Sequence, residues 1–407
     1  MKRRLAHTFT SFFAFLCVVF IPFPFNITKV QLFITDFIFG KPIGFLASNL
    51  FEKKLITTRV YSDTVSMYIL VLLLLILAIL ISLLFQGIKK WPLYRDKVLT
   101  VFYHLFICYL ALQLLKYGVD KIFKNQFYLP EPNTLFTPMG EIGRDLLYWS
   151  SMGTSYFYNI FLGSLEVIAA VCILIKRTRL IGLLLSLGIL LNVVAVNFGF
   201  DISVKLYSLF LLFLTSYLLA PHVSRLNQLL LLRKTGAINT IPDTTGFLKN
   251  SFVAYFLKWL IVGIIFLEAF YPFIISKNFN GDFTERPYLH GAYEIKQVIA
   301  GIDTLDLKDS PVKRFFIHRD GYLIFQDQAD KMLDYKLSYA IDKSLFILTD
   351  YQLQKTIMSF SYQPADSILT LQYFKDEKDF QLTGKAINWK ELPVLQNGFH
   401  WTVDGRK

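Results

Sequence analysis

The sequence is poor in cysteine, in charge and in catalytic signatures. Its three cysteines, Cys17, Cys108 and Cys172, are spread over 407 residues, and each sits in an apolar run. No C-x-x-C pair occurs, so a dithiol redox motif and a disulfide framework are both excluded. Charged residues make up only 18%, against about a quarter in soluble domains. A Gly-rich phosphate loop, H-E-x-x-H, G-x-S-x-G and a haem-ligating histidine pair are all missing. These absences remove the usual soluble hydrolases, nucleotide enzymes and metalloenzymes. A nucleic-acid partner would need a basic stripe on a soluble surface, and no such stripe is visible.

What is present is apolar. Hydrophobic residues reach 54% and aromatics 16%, with 40 phenylalanines, and the mean hydropathy is +0.46. A polytopic membrane protein with one soluble domain fits these figures. The charge divides unevenly. From Asp282 onward there are 16 basic and 18 acidic residues, a net of −2, which leaves +14 on the apolar part.

A spanning helix needs about 20 apolar residues. Met67–Gly87, Val98–Tyr117, Tyr156–Ile175, Leu180–Phe200, Val204–Ala220 and Phe252–Ile275 qualify, the last with Lys258 able to snorkel. A Phe-rich run from Thr10 to Ile27 follows Lys2, Arg3 and Arg4 without a clean cleavage site, and reads as a retained anchor. That makes seven spans. The loop 28–66 is apolar but broken by Gly40, Lys41 and Pro42, which predicts short helices at the outer interface.

Lys and Arg concentrate in the amino terminus and in loops 88–97, 176–179 and 221–250. Seven spans put all four on one side, cytoplasmic by the positive-inside rule, and the tail domain outside. The domain reading is therefore 1–97 for the first two spans, 98–221 for a helical core, 222–281 for a cytoplasmic loop and span seven, and 282–407 for an extracytoplasmic β domain.

In that tail, alternating runs follow one another at short, regular spacing: Ala292–Val298, Lys313–Arg319, Tyr322–Gln326, Leu333–Tyr339, Ser344–Leu348, Thr356–Tyr362, Ile368–Tyr373 and Phe380–Ala386. Asp320-Gly321 between two of them is a hairpin signal. An antiparallel all-β domain is predicted, a barrel (lipocalin-like in its opening His290-Gly291-Ala292-Tyr293) or a sandwich.

Ionisable groups inside spans are costly and are functional candidates by default. Glu166 leads, mid-span in FLGSLEVIAAVCIL. His104 and Cys108 share a helix face at i, i+4, and the span directions place Cys108 near the depth of Glu166. A Glu–His pair there could relay a proton or bind a quinone carbonyl; interhelical hydrogen bonding is the structural alternative. One His and one Cys are too few for a metal site. Asn192 and Asn197 are further polar intramembrane candidates. Tyr117, Asp120, Lys121, Asp201 and Lys205, with Lys116, Glu141 and Arg144, could line a polar mouth at the outer face. Glu268 also falls near that face.

The stretch KYGVDKIF (Lys116–Phe123), followed by GSLEVIAAVCILIKRTRLIGLLLSLGILLNVVAVNFGFD from Gly163, resembles the DoxX-like family of four-helix membrane proteins. Gly118 and Lys121 after the first helix, Gly163-x-x-Glu166, a basic turn and a helix rich in small residues carry the resemblance, over 98–221. The whole arrangement is similar to Bacteroidetes-type members with extra amino-terminal spans and a tail ending in Gly-Phe-His-Trp, here Gly398–Trp401. The resemblance implies a bacterial inner-membrane protein, an accessory subunit of a quinone- or thiol-linked redox system, with membrane lipid, a redox partner or quinone as partners. The alternative is a membrane-anchored assembly module whose β domain holds a lipid or envelope partner. A small-solute transporter ranks third, because paired broken spans are missing.

Overall fold

The computed structural model describes residues 2–23, 26, 28–50, 60–230, 251–308, 310–375, 378–396 and 401–402. In chain order the helices are α1 Lys2–Phe20, α2 Thr28–Leu50, α3 Val65–Gly87, α4 Trp91–Ile122, α5 Pro132–Leu135, α6 Arg144–Thr154, α7 Tyr156–Leu174, α8 Arg179–Gly199, α9 Lys205–Leu219, α10 Val223–Leu230 and α11 Ser251–Ser276. Six of them, α2, α3, α4, α7, α8 and α11, are long and apolar enough to cross a membrane. The chain is a multi-pass helical membrane bundle joined to a C-terminal antiparallel β-barrel.

Two compact units result. One comprises 1–126 with 158–279, and the other 127–157 with 280–407. The excursion between α4 and α7 is thus built into the β unit rather than the bundle. Composition alone could not show this, because 127–157 contributes helices α5 and α6 to that unit and no strand. Glu141 and Arg144 belong to that excursion and are exposed.

In the helical unit, local chemistry sets the helix ends. Thr64 caps α3, its hydroxyl accepting the Met67 N–H at 3.3 Å. Pro92 sits in the first turn of α4, where its missing N–H costs nothing. α4 therefore starts seven residues before the predicted Val98 and runs 32 residues. The 28–66 region departs from the expected short helices. It contains one 23-residue helix with Pro42 inside it, held by a buried stripe of Thr35, Phe39, Ile43 and Ala47 at helical spacing.

Among the described residues the β unit has nine strands: β1 Gly291–Ala300, β2 Asp303–Leu305, β3 Arg314–His318, β4 Tyr322–Gln326, β5 Met332–Ala340, β6 Leu345–Thr349, β7 Lys355–Gln363, β8 Ile368–Lys375 and β9 Lys378–Ile387. β1 and β3–β9 form an up-and-down meander that closes through β1–β9 pairing; β2 is an extra strand on the far half of β1. Closure decides barrel over sandwich and removes the sheet edges. Gly321, at φ +73°, makes the predicted β3–β4 turn.

The barrel interior is packed with aromatics. Phe315 stacks on Tyr293 at 4.9 Å and Phe346 on Phe360 at 4.3 Å. The Phe315 ring lies so close to Gly384 that a Cβ there would sit 2.5 Å from it. An eight-stranded barrel is about wide enough for side chains to fill, and here they do.

Candidate functional site

α4 and α7 approach each other closely at a pair of glycines. A Cβ on Gly118 would lie 2.7 Å from the Gly163 carbonyl oxygen, and one on Gly163 would lie 2.5 Å from that of Gly118. Two glycines let the backbones touch, as small residues do between membrane helices. The close approach lets the long Lys121 side chain reach across to Glu166, one turn from the glycine on each helix. Lys121 Nζ donates to both Glu166 carboxylate oxygens, at 3.0 and 2.8 Å. The two side chains are 8% and 5% exposed, so the pair is shut away from water.

Tyr117, one turn back on α4, has its ring 5.4 Å from the Lys121 ammonium. Phe23 packs edge-on to Tyr117 at 5.7 Å and stacks on Tyr207 of α9 at 4.5 Å. The Tyr207 and Tyr109 hydroxyls are hydrogen bonded at 2.8 Å. A second ion pair stands beside this group: Lys116 Nζ donates to Glu268 Oε1 of α11 at 3.0 Å, and Asn26 also donates to that carboxylate.

Between Tyr109 and Tyr117, one turn from each on the same α4 face, is Gln113. It is fully buried, and neither its amide nitrogen nor its oxygen finds a hydrogen-bond partner among the described residues. Each unmatched buried group costs about 1–3 kcal/mol, so this amide stands out from its surroundings. In the sequence it is a single uncharged residue in an apolar run. The available signal was its place, four residues from a tyrosine on either side.

The sequence candidates now sort by position. Glu166, Lys121 and Tyr117 come together. Asp120 is adjacent, its carboxylate taking Asn125 Nδ2 at 3.4 Å. His104 is turned to its own helix, with Nδ1 2.8 Å from the Thr100 oxygen. Cys108 is not level with Glu166: α4 extends to Ile122, and the Gly118–Gly163 contact puts Cys108 about three turns toward the basic end. The expected Glu–His relay is therefore not assembled. Asn192 is exposed on α8, whereas Asn197 is buried with its Nδ2 unmatched among the described residues. Asp201 and Lys205 form the expected i, i+4 pair at 2.7 Å. Asp63 joins them, its carboxylate accepting the Lys205 and Leu206 N–H groups at 2.8 and 3.0 Å and so capping α9 from another part of the chain.

The β unit has its own polar centre, around Glu131. This carboxylate, 2% exposed, lies 2.7 Å from His290 Nε2 and 3.0 Å from Arg286 Nη1. It also accepts the Arg319 N–H at 3.2 Å. The Arg319 guanidinium covers the Tyr128 ring at 3.9 Å, and Leu129 N–H donates to Asp282 at 2.7 Å. Burial alone would raise the Glu131 pKa, but the His290 hydrogen bond and the charges of His290, Arg286 and His318 outweigh it and hold the carboxyl below its usual range. Burial lowers the His318 pKa. The cluster ties the excursion before α5 to the start of β1 and to the β3–β4 turn.

No protein-family profile matches the chain, and no solved structure matches it. A stretch of 101 residues, 25% of the chain, is 33% identical to the uncharacterized protein YwoB of Bacillus subtilis (strain 168). The match covers 63% of that protein, so the chain spans less than two thirds of this relative.

Proposed function

We propose that the helical unit binds the polar head of a lipophilic carrier of quinone type, and that the chain serves as a DoxX-like accessory subunit of a membrane redox system. The observation that carries this reading is Gln113. Its amide offers an NH2 donor group and a carbonyl acceptor inside a fully buried site. A quinone carbonyl accepts from the N–H, and a quinol hydroxyl donates to the oxygen, so both redox forms are matched. The rings of Phe23, Tyr117 and Tyr207 supply flat apolar walls. Beside these rings stand one buried ion pair, Lys121–Glu166, and one half-buried pair, Lys116–Glu268. The packed barrel interior lends no support to the alternative in which the β domain carries a lipid inside it.

Topology enters the same reading. Residues 127–157 and 280–407 form one compact unit, so an even number of crossings separates them. α7, α8 and α11 are three, and α9, 15 residues long and continued by helical turns through Leu230, makes the fourth. With the basic loops inside, the β unit lies on the extracytoplasmic side of a bacterial inner membrane. The test is the extractable lipid of the purified protein: retained quinone supports the reading, and loss of that quinone on Gln113→Leu assigns the site.

A further inference from the structure

α2 satisfies the length and composition of a spanning helix, but its neighbours in the chain forbid a crossing. Its first turns cap the end of α1. Gln31 Nε2 donates to the carbonyls of Ile21 and Val19 at 2.8 and 3.0 Å, Gln31 Oε1 accepts the Phe23 N–H at 3.1 Å, and Thr35 donates to Phe20 at 2.9 Å. Phe23 in turn stacks on Tyr207. The chain that follows α2 returns to the same level, because Asp63 holds the backbone of Lys205 and Leu206 immediately before Tyr207. α2 and α3 therefore both begin at the Tyr207 end of the bundle.

If α2 crossed, the 13 residues 51–63 would have to cross back. As a helix they would rise about 20 Å, short of the hydrocarbon core of about 30 Å. Extended, they would bare their N–H and C=O groups to lipid. They also carry Glu52, Lys53, Lys54, Arg59 and Asp63, charges that a lipid-facing strand does not take through a bilayer.

We infer that α2 is a membrane-surface helix that begins and ends at the Tyr207 end of the bundle and seats an aromatic face in the lipid interface. Its buried stripe, Thr35, Phe39, Ile43 and Ala47, faces the bundle. The opposite side exposes Phe33, Phe37 and Phe45 by 70%, 81% and 68%, with Val30, Ile34 and Ile38 beside them. Lys29, Asp36 and Lys41 are exposed along the same helix. Large apolar side chains with flanking charges fit the boundary between head groups and acyl chains. A count of seven crossings follows, made by α1, α3, α4, α7, α8, α9 and α11, and it places the amino terminus and loops 88–97, 176–179 and 221–250 on one side, opposite the 51–63 segment with Lys53, Lys54 and Arg59.

The full-length protein in liposomes, with its native cysteines replaced, tests this by spin-label depth at Val30→Cys, Phe37→Cys and Phe45→Cys. The expected result is one shallow depth for all three. A depth that changes steadily by about 22 Å from 30 to 45, the rise of a spanning helix, overturns it. Lys29→Cys and Glu52→Cys should react with an impermeant maleimide from the same side; reaction from opposite sides overturns it too. If Phe37→Cys instead forms disulfide dimers and is shielded from lipid, the face belongs to a second copy and the lipid assignment is wrong.

Discussion

Lys121 on α4 and Glu166 on α7 meet through two hydrogen bonds, 3.0 and 2.8 Å long, within a helical bundle and away from water. Removing one partner leaves an uncompensated charge, which costs about 3–5 kcal/mol, whereas replacing both is often neutral. Lys121→Met or Glu166→Leu alone should thus lower the thermal midpoint in detergent. The double variant should recover most of the loss. A double variant no better than the worse single one would mean the pair is held for some reason other than mutual charge.

The Gly118–Gly163 contact permits that pairing. Gly118→Ala places a methyl against backbone and the Val167 side chain, where little can yield. The helices should part by enough to lengthen the Lys121–Glu166 contact. Cross-linking of cysteines placed across α4 and α7 would fall, whereas Gly188→Ala on α8, whose Cβ meets no atom within 4 Å, should change nothing.

Gln113 sets stability against binding. Gln113→Leu removes an unmatched amide from an apolar setting, so the ligand-free protein should gain about 1–3 kcal/mol. A stabilised variant that has lost its ligand is the outcome expected of a binding residue. A destabilised variant would mean that the amide has a structural partner.

The β unit should respond to acid in two stages. His318 has a lowered pKa in the folded state, so its contribution is intact above its unfolded value of 6.5 and declines as pH falls through that value. Glu131 is also held low, so its contribution is intact above 4.5 and disappears below it. Protease sensitivity at 127–157 should rise in these two windows. Glu131→Gln should abolish the lower one and leave the upper.

Much of the fold is written in local sequence. Each predicted strand from Ala292–Val298 to Phe380–Ala386 lies on an observed one, because side-chain alternation and turns such as Asp320-Gly321 are local signals. Barrel closure was not legible, since β1 and β9 meet across some eighty residues. Glu166 and Lys121 were both singled out, but in separate groups. Their meeting depends on the packing of α4 on α7 at Gly118 and Gly163, a tertiary contact between residues 45 apart that local sequence does not carry. Glu131 and Gln113 went unremarked for opposite reasons. Glu131 looks like an ordinary loop acid until Arg286, His290 and Arg319 surround it. Gln113 looks like filler until its neighbours leave it without a partner. The tail motif at 398–400 lies outside the described residues, and Trp401 beside it is 91% exposed.

The central claim is that the buried polar site around Gln113 holds the head of a lipophilic carrier. Its most direct test is mass spectrometry of lipids extracted from the purified full-length protein, comparing wild type with Gln113→Leu and with Tyr103→Phe, a control on α4 away from the site. The account predicts near-stoichiometric quinone in wild type and control, and at least a tenfold loss in Gln113→Leu. Equal quinone in all three proteins, or none in any, would contradict it.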